Sequence, residues 1–174
     1  MPKGADLRPT PDRVRETVFN WLAPVLPGAR CLDLYAGTGV LGLEALSRGA
    51  MHAVFVERET GTAGTLSRLI TELEANAEVV CDDAADYLDR ADLSGFDIVF
   101  VDPPYETPVE PLIDALSKRL RSGSRVYLER DAKDSWPASP AFEWTRQAEA
   151  GAVAFGIGQH RTTLETCPER SDSL

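Results

Sequence analysis

The chain has 174 residues, 43% of them hydrophobic and 26% charged, which is enough for one globular domain with a core and too little for two. Its formal net charge of −10 argues against broad, non-specific affinity for nucleic acid, although residues 1–30 carry five cations against three anions and would allow a local contact with phosphate. No apolar run is long enough to span a membrane, and MPKGADLRPT lacks the apolar core of a signal peptide, so we expect a cytoplasmic protein without a membrane span. The three cysteines do not have the spacing of metal ligands, and we therefore expect no bound metal.

The N-terminal segment is predicted to form an amphipathic helix. Thr10 is a suitable helix cap, and Pro11 is a suitable first helical residue. Apolar side chains then recur at helical spacing, and two prolines end the element; these residues are Val14, Val18, Trp21, Leu22, Pro24 and Pro27.

Beyond this helix, predicted strands and helices alternate. Strand-like apolar runs occur at Arg30–Tyr35, Ala53–Val56, Glu78–Cys81, Asp97–Val101 and Arg125–Glu129. Helices are predicted between them at Val40–Arg48, Thr60–Ala75, Ala84–Arg90 and Val109–Arg121. This alternation, with strands apolar enough to be buried on both faces, predicts an α/β fold with a doubly wound, mostly parallel, Rossmann-like sheet.

The alternation stops after Arg130. Two extended segments, Ala141–Glu149 and Ala152–Gly158, are joined by a glycine-containing turn with no helix between them. They are therefore predicted to form an antiparallel hairpin at one edge of a seven-stranded sheet. The polar tail, residues 166–174, is expected to be disordered.

The stretch CLDLYAGTGVLGLEALSRGA contains a GxGxxG pattern, formed by Gly37, Gly39 and Gly42, directly after the first predicted strand. Ligands of an open parallel sheet bind beyond the carboxyl ends of the strands, and glycines there allow a tight turn and a close approach of the backbone. The pattern is compatible with NAD, with S-adenosylmethionine (SAM), or with a turn that needs glycine only for packing.

Acidic residues at three strand ends favour SAM among these possibilities. Asp33 ends the first strand, where a carboxylate suits the cationic ammonium and sulfonium of SAM better than the pyrophosphate of NAD. Glu57 ends the second strand and could accept both hydroxyls of a ribose, which fits either cofactor. Asp83 follows the third strand, where it would accept from an adenine amino group or cap the next helix, and both interpretations stay open.

The fourth strand ends in the motif Asp102-Pro103-Pro104-Tyr105. Two prolines directly after a buried strand end it and make the chain rigid. The Asp102 carboxylate and the Pro103 carbonyl could each accept one N–H of an exocyclic nucleobase amine, which would aim the nitrogen lone pair at a methyl donor. Tyr105 offers a flat face for a base turned out of its stack. This motif is the predicted catalytic centre.

With these residues placed, the chain resembles the class I SAM-dependent methyltransferases, and within them the RsmD family of bacterial 16S rRNA guanine-N2 methyltransferases. The resemblance extends from about Leu7 to His160 and rests on LRPTPDRVRETVFNWL, CLDLYAGTGVLGLEALSRGA, VFVE and FDIVFVDPPYE. The first segment is the most specific, since glycine loops and DPPY occur in many methyltransferases. Members of the family usually carry a Gly- and Arg-rich hairpin ahead of LRPT, where this sequence has MPKGAD.

The resemblance implies a small monomeric enzyme that methylates a guanine of 16S rRNA in the small ribosomal subunit. It implies a single domain, 1–174, with an N-terminal capping helix region at 1–28 and a catalytic core at 29–160. The implied SAM pocket comprises Asp33, Tyr35, Gly37, Gly39, Glu57 and Asp83; the implied catalytic residues are Asp102, Pro103, Pro104 and Tyr105; and the implied RNA contacts are Arg8, Arg13 and Arg15. Without the resemblance, Arg13 and Arg15 would be assigned to surface ion pairs with Asp12 and Glu16.

Three other functions compete with this interpretation. An adenine-N6 methyltransferase of DNA or RNA, or an enzyme that methylates another nucleobase amine, would use the same DPPY motif. The chain is too short for a DNA target-recognition domain, which argues against a DNA enzyme. A non-catalytic scaffold with the same fold would have no need of the motif. An NAD(P) oxidoreductase would need a hydride-transfer partner such as a tyrosine–lysine pair or a catalytic histidine, and none of the three lysines lies near Tyr35 or Tyr105 in the sequence. His52, at a strand start, and His160, predicted to follow the last strand, are both poorly placed to act as a general base.

Overall fold

The computed structural model describes residues 12–161, and these residues form five helices and seven strands. The helices are α1 Asp12–Leu22, α2 Val40–Ser47, α3 Thr60–Glu72, α4 Ala84–Arg90 and α5 Glu110–Ser117. The strands are β1 Arg30–Asp33, β2 His52–Glu57, β3 Ala77–Cys81, β4 Ile98–Val101, β5 Arg125–Asp131, β6 Phe142–Ala150 and β7 Val153–His160. The predictions for Arg8, Thr10 and Pro11, and for the tail 166–174, lie outside the described residues.

All seven strands lie in one sheet, in the order β3-β2-β1-β4-β5-β7-β6. The five strands from β3 to β5 pair in parallel, whereas β7 pairs antiparallel with both β5 and β6. The predicted α/β fold with an antiparallel hairpin at one edge is therefore confirmed. The chain leaves β1 in one direction along the sheet and resumes with β4 on its other side, which creates a switch point between these two strands.

Helices cover both faces of the sheet and divide the core in two. On one face, α1, α2 and α3 pack around buried aromatic residues, and the rings of Phe19 and Phe100 lie 5.8 Å apart. On the other face, α4 and α5 pack against the alternate side chains of the same strands. Burial on both faces explains why all four residues of β4 are apolar and why Cys31 and Leu32 of β1 are fully buried, and it holds the carboxyl ends of both strands in fixed positions.

Two helices end earlier than the sequence predicts. α3 stops at Glu72 instead of Ala75 because Glu74 adopts a left-handed conformation, with φ of 50°, and the Ala75 N–H donates to the Ile70 carbonyl at 3.0 Å. This arrangement is a common helix end. α5 stops at Ser117 instead of Arg121, and the chain continues in tight turns towards β5.

The position predicted for His160 is wrong, because the last strand continues through this residue. His160 is buried and lies opposite Phe142 of β6. Its Nε2 lies 2.9 Å from the carbonyl oxygen of Ser117. None of the helices within residues 12–161 has the length and apolar character needed to cross a bilayer.

Candidate active site

Four acidic residues lie along one edge of the sheet, each at or just beyond the carboxyl end of a strand. Asp33 is the last residue of β1, and Glu57 is the last residue of β2. Asp102 directly follows β4, and Asp83 lies two residues beyond β3. Because the four strands are adjacent and parallel, the fold brings these residues to one rim that includes the switch point. This is the arrangement that the sequence predicts.

The glycine loop between β1 and α2 turns through left-handed backbone. Gly37 has φ of 52°, and Gly39, which precedes α2, has φ of 81°. Both values favour glycine, because other residues meet steric hindrance there. The Gly37 N–H donates to Oε2 of Glu57 at 2.9 Å, and the Ala36 N–H donates to the Val56 carbonyl at 3.0 Å. The loop is thus held against β2 with its backbone at the rim.

Gly42, the third glycine of the pattern, has a different role. It lies in α2, and a Cβ atom there would overlap the ring of Phe55, a buried residue of β2. Glycine at this position lets the helix approach the sheet. The packing interpretation of the pattern therefore applies to Gly42, whereas Gly37 and Gly39 are required by the loop itself.

Asp33 is a buried carboxylate, and only 2% of its surface is exposed. Its Oδ2 accepts from the Gly42 N–H at 3.2 Å. Burial raises the pKa of Asp33 to about 7; backbone N–H donors at Gly42 and Tyr35 act in the opposite direction, and the charge of Glu57 adds to the rise. A cation beside Asp33 would stabilise its ionised form, so this carboxyl group is suited to bind an ammonium group.

Asp83 caps α4, as one of its two interpretations predicts. Its carboxylate accepts from the Ala85 N–H at 2.8 Å. It also lies close enough to the Tyr35 phenol to affect its ionisation. The pKa of Tyr35 is raised to about 12, chiefly by burial and also by the charge of Asp83, while the charge of Arg58 acts in the opposite direction. Tyr35, Arg58 and Asp83 therefore share one end of the rim. The predicted contact of Asp83 with adenine stays a prediction.

The Asp102–Tyr105 motif forms a rigid corner beyond β4. Asp102 is half-buried and Pro103 is buried, whereas Pro104 and Tyr105 are exposed. The Thr107 N–H donates to the Pro104 carbonyl at 2.8 Å and closes the turn. Half of the Tyr105 surface is exposed, so its ring is available for stacking. The corner lies beside the glycine loop, because β4 and β1 are neighbours in the sheet.

A buried phenol–carboxylate pair, which sequence reasoning missed, lies beside this corner. The Tyr127 hydroxyl donates to Oε2 of Glu129 at 2.8 Å. Burial raises the pKa of Tyr127 well above its usual range, and the charges of Glu129 and Asp102 raise it further. Tyr127 thus stays protonated near Asp102. The signal in the sequence was the acid in RVYLERD, which ends a strand expected to be apolar.

A cavity of about 270 Å³ opens between the DPPY turn and the end of β5. Its walls come from residues 103–110 on one side and from residues 129–131, 134 and 135 on the other. Arg130 is one of these residues, and it is 7% exposed. Sequence reasoning did not select Arg130, although an arginine near the end of a buried strand is unusual.

The two arginines of α1 that the structure describes differ in their surroundings. Arg15 lies 2.7 Å from Asp12, which is the surface ion pair expected without the resemblance, and 4.0 Å from Glu44 of α2. Arg13 is exposed. Contact of either residue with RNA stays a prediction. Within residues 12–161, no group of three or more His, Cys, Asp or Glu side chains is placed to hold a metal ion.

The fold and the rim together define the class of this protein: a class I SAM-dependent methyltransferase. The family described as conserved hypothetical protein 95 matches residues 1–159. Ribosomal RNA small subunit methyltransferase D of Escherichia coli K12 is 40% identical over 172 residues, which cover 95% of this chain and 86% of the relative. The enzyme of the same name from Haemophilus influenzae is 36% identical, over 88% of this chain and 83% of the relative.

Solved structures agree with this assignment. An Escherichia coli protein superposes with a TM-score of 0.83 at 38% identity, covering 90% of this chain and 89% of the other. An RNA methyltransferase from Salinibacter ruber, solved with S-adenosyl-L-homocysteine, shares the fold with a TM-score of 0.70 at 20% identity, over 95% and 100% of the two chains. The chain belongs to the conserved hypothetical protein 95 family, which confirms the resemblance to the RsmD methyltransferases.

Proposed function

We propose that this protein transfers the methyl group of SAM to the exocyclic N2 amine of a guanine in 16S rRNA. The observation that carries the proposal is the position of the DPPY corner beside the glycine loop at the switch point of the sheet. The relatives from Escherichia coli and Haemophilus influenzae are both named ribosomal RNA small subunit methyltransferase D, and this chain covers most of their length.

The rim has the chemistry that SAM requires. Asp33, with its raised pKa, would pair with the amino-acid ammonium group. Glu57 would accept the ribose hydroxyls with lone pairs that its bonds to the Gly37 and Glu59 N–H groups leave available. The left-handed glycines bring the loop backbone close to the ligand without side chains in the way. Tyr35 and Asp83 would border the adenine side.

Bound SAM supplies an electrophilic methyl group on a sulfonium. The lone pair of a guanine N2 amine is delocalised into the ring, so the amine must be held in a reactive geometry. Asp102 and the Pro103 carbonyl would accept its two N–H bonds and direct the lone pair at the methyl carbon. As the nitrogen–carbon bond forms and the carbon–sulfur bond breaks, the amine becomes acidic, and its proton passes to Asp102 or to water.

The target base would leave its stack to reach this corner. The exposed ring of Tyr105 would support the base from one face. Arg8, Arg13 and Arg15 would contact the RNA backbone from the N-terminal helix region, which is less acidic than the rest of the chain. We infer that the enzyme is a metal-free monomer that acts in the cytoplasm on the small subunit, whose shape it would recognise in addition to phosphate.

The test is transfer of labelled methyl from SAM by the purified protein. The substrates are small subunits that lack the modification, naked 16S rRNA and duplex DNA. Label released from subunit rRNA as N2-methylguanosine supports the proposal, and its loss in Asp102→Ala assigns the chemistry to the corner. Asp114→Ala, which removes an exposed carboxylate of α5, is the matched control and keeps full activity. Label in N6-methyladenosine would identify an adenine enzyme, and SAM binding without transfer to any substrate would contradict the proposal.

A further inference from the structure

The wall of the cavity between the DPPY turn and the end of β5 includes an arginine, Arg130, whose guanidinium group has unpaired hydrogen-bond donors. The Arg130 side chain is 5% exposed. Its Nε and Nη1 atoms are buried and have no hydrogen-bond partner, and its Nη2 lies 3.7 Å from Oδ2 of Asp134, too far for a hydrogen bond. The guanidinium also lies over the Trp136 ring, 5.9 Å from its centroid. Buried donors without acceptors are costly, so a ligand that supplied acceptors would stabilise this group.

The sheet register places Arg130 next to the predicted catalytic corner. β4 and β5 pair in parallel, with Val101 opposite Leu128. Two residues further along the two strands come Pro103 and Arg130, and both contribute to the cavity wall. Neighbouring strands lie about 4.8 Å apart, and an arginine side chain spans more than that distance. A base whose amine is held at Asp102 and Pro103 would therefore have its far edge within reach of Arg130.

The charges of the cavity indicate what kind of ligand it takes. Apart from Arg130, its charged lining residues are all acidic: Glu106, Glu110, Glu129, Asp131 and Asp134. Phosphate would be repelled by so many carboxylates, whereas a neutral ring with donors on one edge and acceptors on another would be accommodated. Guanine has this pattern, with N–H donors at N1 and N2 and acceptors at O6 and N7. Arginine pairs with O6 and N7 through two parallel hydrogen bonds.

We propose that Arg130 binds the O6 and N7 atoms of the target guanine and gives the enzyme its preference for guanine over bases with an amine at position 6. This inference rests on the proposed function. Because Nε and Nη1 are shielded from solvent, engagement requires a rotamer change that turns the guanidinium towards the base. A base with an amine at position 6 would present a donor to this cation, and the buried group would stay unsatisfied.

The experiment compares guanine with 2,6-diaminopurine at the methylated position of reconstituted small subunits. Both bases carry the reactive 2-amine, but diaminopurine has an amine where guanine has O6. The wild-type enzyme is expected to prefer guanine by roughly 10-fold or more in kcat/KM. Arg130→Met should be slower on guanine by a similar factor and should act on both bases at rates within about twofold of each other. Lys133→Met, which removes an exposed cation of the turn that follows β5, is the control and keeps the wild-type rates and preference.

The outcomes separate this inference from the proposed function. If wild type methylates guanine subunits but acts equally on diaminopurine, or if Arg130→Met keeps the wild-type preference, the role of Arg130 is wrong and the proposed function stands. If wild type methylates neither substrate, the proposed function itself fails. SAM binding and thermal unfolding of Arg130→Met show whether the variant is folded. The wild-type comparison requires no variant, so the inference can be overturned even if Arg130→Met does not fold.

Discussion

The Glu57 carboxylate and the Gly37 backbone N–H form a hydrogen bond of 2.9 Å that joins the end of β2 to the glycine loop after β1. The other carboxylate oxygen of Glu57 accepts from the Glu59 N–H at 2.8 Å, next to the start of α3. One side chain therefore positions two loops of the rim. Any change at Glu57 is expected to alter the shape of the proposed SAM pocket as well as its polarity.

Glu57→Gln should weaken SAM binding by roughly 10- to 100-fold, because the amide presents N–H donors to a backbone N–H and leaves a hydrogen bond unmade, at about 1–3 kcal/mol. Titration calorimetry measures the change. Glu72→Gln, at the exposed end of α3, is the control and should bind SAM as wild type does. Unchanged affinity in Glu57→Gln would remove Glu57 from the pocket.

Gly37→Val should lose most SAM binding, because Gly37 has φ of 52° and a branched side chain cannot adopt this conformation without strain of about 1–2 kcal/mol or a shift of the loop. Gly64→Val provides a matched control: Gly64 lies in α3 with open space around it, and this variant should bind SAM normally. The measurement is the dissociation constant of SAM for both variants. Normal binding by Gly37→Val would mean that the glycine loop does not line the pocket.

Asp102→Asn should lower kcat by about 100- to 1,000-fold, because the amide keeps the shape of the side chain but loses the charge that stabilises the developing positive nitrogen. SAM affinity should stay within about threefold of wild type, since the carboxylate is assigned to the amine. Single-turnover methyl transfer and equilibrium SAM binding, measured on the same preparation, separate the two effects. A variant that kept its kcat would exclude Asp102 from the amine clamp.

The pH dependence of SAM binding should follow Asp33. Its pKa of about 7 in the ligand-free protein means that the neutral form predominates below neutrality, and only the ionised form pairs with an ammonium group. The affinity should therefore rise as the pH increases through 7, by up to about tenfold per pH unit on the acid side, with release of a proton on binding. Calorimetry in buffers of different ionisation enthalpy measures that proton.

Folding stability should fall as the pH rises, whereas the affinity for SAM should increase. Because the folded pKa of Asp33 lies above its ordinary value near 4, the native state binds more protons than the unfolded state between these two values. The Asp33 contribution to the free energy of unfolding is thus present below about pH 4 and is lost as the pH rises to about 7. Asp33→Asn should remove the pH dependence of both the free energy of unfolding and the SAM affinity. If both quantities changed with pH in this variant as they do in wild type, another group would be responsible.

Gly42→Ala should destabilise the fold by about 1–3 kcal/mol, because its Cβ would overlap the ring of Phe55 in a closely packed core. Urea denaturation measures the loss. Phe55→Leu in the same chain should restore part of it, since the smaller side chain makes room for the methyl group. An additive effect of the two substitutions would show that the contact between helix and strand is not the cause.

Much of the architecture could be predicted from the sequence because it depends on local patterns. The apolar runs of β1 and β4, the prolines after Val101 and the turn before β7 each indicate an element without reference to the rest of the chain. The parallel arrangement then places Asp33, Glu57 and Asp102 at one rim, since Asp33 and Glu57 are the last residues of their strands and Asp102 directly follows β4. Boundaries were less accurate: α3 ends at Glu72, two residues before the left-handed Glu74, and β7 continues to His160, and a local pattern indicates neither.

The sequence by itself determined the class of the fold, the placement of the acidic residues at the carboxyl ends of the strands and the position of the DPPY motif at the same rim. Only the tertiary structure decided that Glu57 binds the Gly37 N–H, that Gly42 packs on Phe55, and that Arg130 lies buried beside Pro103. These contacts join residues far apart in the chain, and they follow from strand register and helix packing. A one-residue change of register would send each side chain to the other face of the sheet, so no local pattern can specify them.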